Sequence, residues 1–200
     1  MNGIRLPLSL ITILVMTLVS CGGAVATDQF QGVELEHPSD KPVFTLTDTN
    51  GEAYDFGARS EGKLTILYFG YLNCPDICPV HLAQIAETFD QLPAIAREAE
   101  VVFVSVDPGR DSPQDIREFL DRFDPRFVGL TGSPEELEVA QIAAGVPVAR
   151  IVGDGEDYTV DHAGSVLAYA PDGRGYTVYP FGTRQTEWAN DLQILAAMTG

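Results

Sequence analysis

Long apolar runs and amphipathic segments alternate along this chain, and their spacing predicts its secondary structure. Residues 64–70 and 101–106 are almost continuously apolar and rich in β-branched and aromatic side chains, which is typical of strands buried on both faces. Between them, residues 80–92 place apolar side chains three and four positions apart, which predicts a helix. Strand, helix and strand in this order indicate an α/β sheet covered by helices.

Turn and capping residues mark the other elements. Asn50-Gly51 predicts a tight hairpin, and Ser112 and Ser133 each precede a proline and acidic residues, as at helix N-termini. The other predicted elements are strands at residues 43–47, 53–56, 127–130, 166–170 and 176–179, helices from 113, from 134 to about 144 and from 183 to 198, and an irregular segment at 146–157. This order predicts a thioredoxin-like α/β fold, a mixed sheet flanked by helices with an N-terminal β-hairpin, in one domain at residues 42–200.

The N-terminal residues 1–20 are predicted to be a lipoprotein-type signal peptide. Arg5 precedes a nearly uninterrupted apolar run, and residues 18–21 (LVSC) resemble a bacterial lipoprotein box, in which Cys21 becomes the lipidated first residue. An uncleaved membrane anchor is the alternative, although the run is short for a bilayer span. Both interpretations predict an extracytoplasmic domain on the periplasmic side, anchored to a membrane, with residues 21–41 as a polar tether.

The predicted mature chain is strongly acidic. Removing residues 1–20 takes away Arg5 and no acidic residue, so 11 basic and 29 acidic residues remain, a net charge of −18. This charge argues against binding of nucleic acid and against docking on anionic lipid headgroups. It favours a basic partner surface or a cationic cargo, or else it serves only to keep a tethered domain in solution.

Two cysteines at the first strand-to-helix junction are the strongest chemical signal. With Cys21 set aside for the lipid, Cys74 and Cys78 are the remaining thiols of the chain, and their spacing puts both sulfurs on one face of a helix start. A bridge closing so short a loop contributes little stability, so the pair is predicted to be functional. Helix N-termini favour thiolates, and paired thiolates bind soft ions such as Cu(I) or Zn(II). The pair can bind metal, cycle between dithiol and disulfide, or do both.

Three histidines could supply a further ligand. His37 lies in the predicted tether, and His81 follows Cys78 on the same helix but points further down it. His162 follows the irregular segment, which in a thioredoxin-like sheet can fold back over the cysteine junction. Each has an ordinary structural alternative, because a lone histidine is usually a satisfied core or surface residue.

Three ordered motifs connect these residues: Tyr68-Phe69-Gly70 ahead of Cys74-Pro75-Asp76-Ile77-Cys78-Pro79, Ser105-Val106-Asp107-Pro108 with Arg110-Asp111, and Val160-Asp161-His162. With them the chain, over residues 41–199, resembles the Sco (SenC) family of membrane-tethered copper proteins that serve cytochrome c oxidase assembly. The resemblance implies that Cys74, Cys78 and His162 bind copper, as Cu(I) or Cu(II).

The resemblance also bears on three neighbouring residues. It suggests that Asp107 acts near the metal or in partner docking, with a turn acid before a proline as the alternative. Asp161 either orients the imidazole of His162 or caps the loop. Ala163 stands where the family commonly has serine, so a hydrogen bond from that serine in support of the histidine is not expected here.

The predicted function is copper delivery to the binuclear copper site of cytochrome c oxidase subunit II, by a metallochaperone rather than an enzyme. The mature chain has no methionine cluster for scavenging Cu(I), so copper is expected to come from a periplasmic donor protein. The alternative is a thiol–disulfide oxidoreductase, in which Cys74 attacks and Cys78 resolves; a peroxide-reducing enzyme of the same fold is a third. Three residues between the cysteines, and a distant histidine, favour copper.

Overall fold

The computed structural model describes residues 29–155 and 157–199. Its strands are β1 (Val33–Asp40), β2 (Thr45–Asp48), β3 (Ala53–Asp55), β4 (Thr65–Gly70), β5 (Glu100–Ser105), β6 (Val128–Thr131), β7 (Arg150–Val152), β8 (Thr159–Asp161), β9 (Val166–Tyr169) and β10 (Arg174–Tyr179). Its helices are α1 (Phe56–Arg59), α2 (Ile77–Gln91), α3 (Pro93–Ala96), α4 (Pro113–Leu120), α5 (Pro134–Ala143) and α6 (Gln185–Ala196). The predicted signal peptide and Cys21 lie outside the described residues.

An eight-stranded mixed sheet forms the centre, in the order β1-β10-β9-β4-β5-β6-β2-β3. The β4, β5 and β6 strands run parallel, and β2–β3 is the predicted N-terminal hairpin. Every residue of β4 is buried, and so is all of β5 except its first residue, as their apolar sequences predict. Helices α2 and α6 pack against each other beside this sheet, burying Leu82, Ile85 and Trp188.

The predicted tether is wrong over its second half. Val33–Asp40 forms β1, which pairs antiparallel with β10 at the edge of the sheet, and His37 is an exposed residue on it. All but one of the β1 residues are exposed, and the apolar–polar alternation ends after residues 33–36, with a proline at Pro38 that weakens a strand prediction. The fold therefore begins earlier than the predicted boundary at residue 42.

The segment at residues 146–157, predicted to be irregular, contains β7. This strand pairs with β8, from Arg150 opposite Asp161 to Val152 opposite Thr159, as a two-stranded sheet separate from the main one. All three β7 residues are exposed, so its main-chain hydrogen bonds form without a buried apolar face. In the described part of the chain, no helix is long and apolar enough to cross a membrane.

Candidate metal site

The site lies where β4 and β5 end together. Their parallel register runs to Gly70 opposite Ser105, so the loop into α2 and the loop into α4 start at the same sheet edge. A side-chain Cβ at Gly70 would lie 2.8 Å from the Cys78 sulfur and 2.8 Å from Phe103. Glycine at the strand end therefore lets the first turn of α2 pack directly against the strand, with Cys78 at the contact.

The structure brings three of the predicted site residues together. The ligand atoms of Cys74, Cys78 and His162 all lie within 4.8 Å of one another, and the Cys78 Sγ is 3.7 Å from the His162 Nε2. The Cys78 backbone N–H donates to the Cys74 Sγ at 3.4 Å. Metal–sulfur bonds of about 2.3 Å and metal–nitrogen bonds of about 2.0 Å separate ligand atoms by roughly this much, so one ion fits.

Backbone carbonyls fix the imidazole of His162. Its Nδ1 lies 3.0 Å from the carbonyl oxygen of Phe69 and 3.0 Å from that of Ala163. Carbonyl oxygens only accept hydrogen bonds, so Nδ1 carries a proton and Nε2 is the ring nitrogen that faces the sulfurs. The hydrogen bond that Ala163 put in question is thus supplied by the main chain. Asp161 is exposed on β8, and the Nδ1 partners are these carbonyls rather than its carboxylate.

The two thiols differ strongly in pKa. The pKa of Cys74 falls to about 4, chiefly because the Cys78 thiol hydrogen-bonds to it; burial opposes this shift, and the His162 side chain and the backbone N–H groups of Cys78 and Asp76 add to it. Burial raises the pKa of Cys78, and the hydrogen bond to Cys74 raises it further, although the Tyr68 hydroxyl 3.4 Å away lowers it. The helix start therefore favours one thiolate, at Cys74, and not two.

Asp107 is buried beside the site rather than within the group of ligands. Its carboxylate accepts hydrogen bonds from the Tyr158 hydroxyl at 2.6 Å and from Arg110 at 2.6 Å, and its carbonyl accepts from the turn that follows. The backbone of Asp107 thus forms the turn that was the alternative prediction. Its side chain, in addition, binds Tyr158 and Arg110. No pattern in the sequence pointed to Tyr158, which directly follows the segment at residues 146–157 that was predicted to be irregular.

His81 stays outside the group of ligands. The residue is fully buried, its Nε2 lies 3.2 Å from the Gly164 carbonyl oxygen, and its ring meets those of Tyr68 and Trp188 edge-on. Burial lowers the pKa of this imidazole, which favours its neutral form. His81 therefore supports the chain just after His162, consistent with its predicted direction into the protein.

Comparisons with known proteins bear on this arrangement. The SCO1/SenC family profile matches residues 34–197. The SCO2-like protein of Rickettsia conorii is 37% identical over 134 residues, which are 66% of this chain and just under two thirds, 64%, of that protein.

Solved structures share the fold. ScoI of Bradyrhizobium japonicum with copper bound superposes with a TM-score of 0.70 at 34% identity, over 78% of this chain and 99% of that one. The apo Sco1 protein of Thermus thermophilus gives a TM-score of 0.75 at 31% identity, over 86% and 99%. These matches confirm the predicted thioredoxin-like α/β fold.

Proposed function

Because this chain belongs to the SCO1/SenC family, we propose that it binds one copper ion through Cys74, Cys78 and His162. The convergence of two sulfurs and one imidazole nitrogen within 4.8 Å carries the proposal. Two thiolates select soft Cu(I), and the added nitrogen lets the same site hold Cu(II). The copper-bound Bradyrhizobium relative supports copper over zinc, for which a structural site would use four ligands.

We further propose that copper is cargo, delivered to the binuclear copper site of cytochrome c oxidase subunit II after receipt from a periplasmic donor protein. The family assignment supports this role, and Cys74, which is 8% exposed whereas Cys78 is fully buried, offers the more accessible sulfur for passing an ion between proteins. Lipidation of Cys21 would hold the domain at the periplasmic side of a membrane, where the oxidase is also anchored. The net charge of −18 on the predicted mature chain, residues 21–200, suits a cationic cargo and not nucleic acid.

Thiol–disulfide exchange is the second candidate, and the unequal thiols favour it. The Cys74 thiolate would attack a disulfide of the partner, forming a mixed disulfide and releasing one partner thiol. Cys78 would lose its proton and attack the Cys74 sulfur, releasing the second partner thiol as the Cys74–Cys78 disulfide forms. Two electrons thus pass from this protein to the partner, whose cysteines become ready for copper.

Anaerobic copper titration tests the ligand set. The reduced full chain should bind one copper ion, and His162→Ala should weaken Cu(II) binding by more than about tenfold, since losing a ligand costs at least as much as losing its supporting partner. His37→Ala removes an exposed histidine on β1 and is the matched control. Equal Cu(II) affinity in wild type and His162→Ala would refute the three-ligand site.

The same variant separates the two candidate functions. His162→Ala keeps both cysteines, so disulfide exchange should persist while copper delivery fails. Oxidase made in cells that carry this variant should lack copper at its binuclear site if delivery is the function. Full copper occupancy in those cells would instead favour thiol–disulfide exchange.

A further inference from the structure

One loop, residues 105–111, contacts both of the segments that carry the ligands. The buried carboxylate of Asp111 accepts a hydrogen bond from the backbone N–H of Leu72 at 3.0 Å, two residues before Cys74. The Ser105 hydroxyl donates to the same oxygen at 2.6 Å, which fixes that carboxylate at the end of β5. The loop therefore anchors the start of the segment that carries Cys74 and Cys78, which we call the cysteine segment.

The other contacts of this loop hold Tyr158, four residues before His162. The hydroxyl of Tyr158 donates to Asp107 at 2.6 Å, and Arg110 donates to the backbone carbonyl of Tyr158 at 2.9 Å. The Arg110 guanidinium lies 3.5 Å from the centre of the Tyr158 ring and pairs with the Asp107 carboxylate at 2.6 Å. Tyr158 is thus held by its hydroxyl, ring face and carbonyl; we name Asp107, Arg110 and Tyr158 the Tyr158 cluster.

The contacts within the Tyr158 cluster are of strong types and are largely shielded from water. Asp107 is only 3% exposed, and the Arg110 side chain is 19% exposed, so their ion pair is largely shielded from water. Charge-assisted hydrogen bonds from a guanidinium to a carboxylate are stronger than neutral ones, and the planar group also stacks on aromatic rings. The ring of Tyr71 extends the contact, lying 5.9 Å from the guanidinium and 5.5 Å from the His162 ring.

The segment that bears His162 needs such support. Within the described residues, the β7–β8 hairpin forms no strand pairing with the main sheet, and β7 is exposed throughout. In β8 only Val160 is buried. A segment with few buried contacts opens easily, and ordering it again would cost free energy each time the imidazole bound an ion.

We propose that Asp107, Arg110 and Tyr158 are positioning residues that hold His162 ready for copper, an inference that rests on the proposed copper site. The cluster ties the histidine segment to the same loop that anchors the cysteine segment through Asp111. Its loss leaves both thiols in place and loosens the segment that carries the imidazole, which then keeps only its contacts with the Phe69 and Ala163 carbonyls. Cu(II), which depends on nitrogen, then binds less tightly, while Cu(I) is still held by two sulfurs.

Two conservative variants test the positioning role. Tyr158→Phe removes the hydroxyl bond to Asp107 but keeps the ring, and Arg110→Lys keeps the charge but loses the planar fork. Each should weaken Cu(II) binding by about tenfold or more, as found for partners that support metal ligands, and change Cu(I) binding by less than about threefold. The electron paramagnetic resonance spectrum of the Cu(II) complex should shift towards that of His162→Ala.

Matched controls exist elsewhere in the molecule. Tyr176→Phe removes a tyrosine hydroxyl bond to Asp172 in another hairpin, and Arg126→Lys alters an arginine pair with Asp124. Both controls should leave copper affinity and spectrum unchanged. Equal loss of Cu(I) and Cu(II) affinity in the cluster variants, or no loss of either, would refute the positioning role.

Hydrogen exchange of the copper-free chain keeps this inference separate from the proposed function. Amides of residues 159–163 should exchange faster in Tyr158→Phe and Arg110→Lys, while those of β4 stay protected. If wild type bound no copper, the proposed function would fail, and exchange alone would still decide whether the cluster orders this segment. If wild type and His162→Ala behaved as proposed and exchange were unchanged in both cluster variants, only the positioning role would fail.

Discussion

The two parts of the candidate site are held in different ways. The cysteine segment joins a fully buried strand to a long helix, and Cys78 is completely enclosed between them. The histidine segment follows a three-residue strand of a separate, largely exposed hairpin. The core thus fixes the two sulfurs by packing, whereas a few hydrogen bonds, to the carbonyls of Phe69 and Ala163 and within the Tyr158 cluster, fix the nitrogen. In a site of this kind the two thiols keep their positions, and the third ligand, His162, can move away from the site without disturbing them.

The largest expected effect is on the pH dependence of the reactivity of Cys74. Because the pKa of Cys74 is about 4, this thiol is almost entirely ionised at pH 6, and its alkylation rate should stay flat between pH 6 and 8. A thiol of ordinary pKa, about 8.5, would slow by roughly tenfold per pH unit below it. Iodoacetamide labelling in a Cys21→Ser background, followed by mass spectrometry, measures the rate at each pH.

A companion variant tests the cause of that shift. Cys78→Ala removes the thiol that hydrogen-bonds to Cys74, so the pKa of Cys74 should rise and a pH dependence should appear at the acidic end. Identical flat profiles in both proteins would show that Cys78 does not hold the pKa of Cys74 down. A steep profile in the Cys21→Ser background itself would contradict the assignment of Cys74 as the thiolate.

Glycines in the two segments should respond in opposite directions. At Gly70 an added methyl group meets the Cys78 sulfur and Phe103 at 2.8 Å, and overpacking of this kind costs about 1–3 kcal/mol in free energy of unfolding. At Gly164 the nearest neighbour, the Ile77 side chain, is at an ordinary 3.6 Å, so alanine should be neutral or stabilising by up to about 1 kcal/mol. Urea unfolding of Gly70→Ala and Gly164→Ala measures both; equal destabilisation would erase the distinction between a rigid and an adaptable segment.

The same distinction explains which parts of the fold could be predicted from the sequence. The buried strands β4 and β5 and the helix α2 were predictable because burial imposes an apolar pattern on them, and with them came the position of Cys74 and Cys78. Edge strand β1 and hairpin strand β7 bury almost none of their side chains, so burial imposes no long apolar run on either strand.

The surroundings of His162 were the least predictable part of the site. Its ring is held by carbonyl oxygens of Phe69 and Ala163, and a main-chain carbonyl is present whatever the side chain. Tyr158 supports it only through the fold, which brings residues 107 and 158 together. The resemblance to a family pointed to His162 and to Asp107, but the roles of the Phe69 carbonyl and of Tyr158 depend on the fold.

Ala163→Ser should have the smallest effect. The substitution restores the residue that the family commonly has after the histidine, yet the Nδ1 proton already has two carbonyl acceptors at 3.0 Å. A serine hydroxyl would compete for a partner that is satisfied, so Cu(II) affinity should change by less than about twofold, far below the loss expected for an absent supporting partner. Anaerobic titration beside His162→Ala measures the change. A tenfold gain in affinity would mean that the main-chain carbonyls hold the imidazole poorly, and that the third ligand depends on its neighbouring side chain after all.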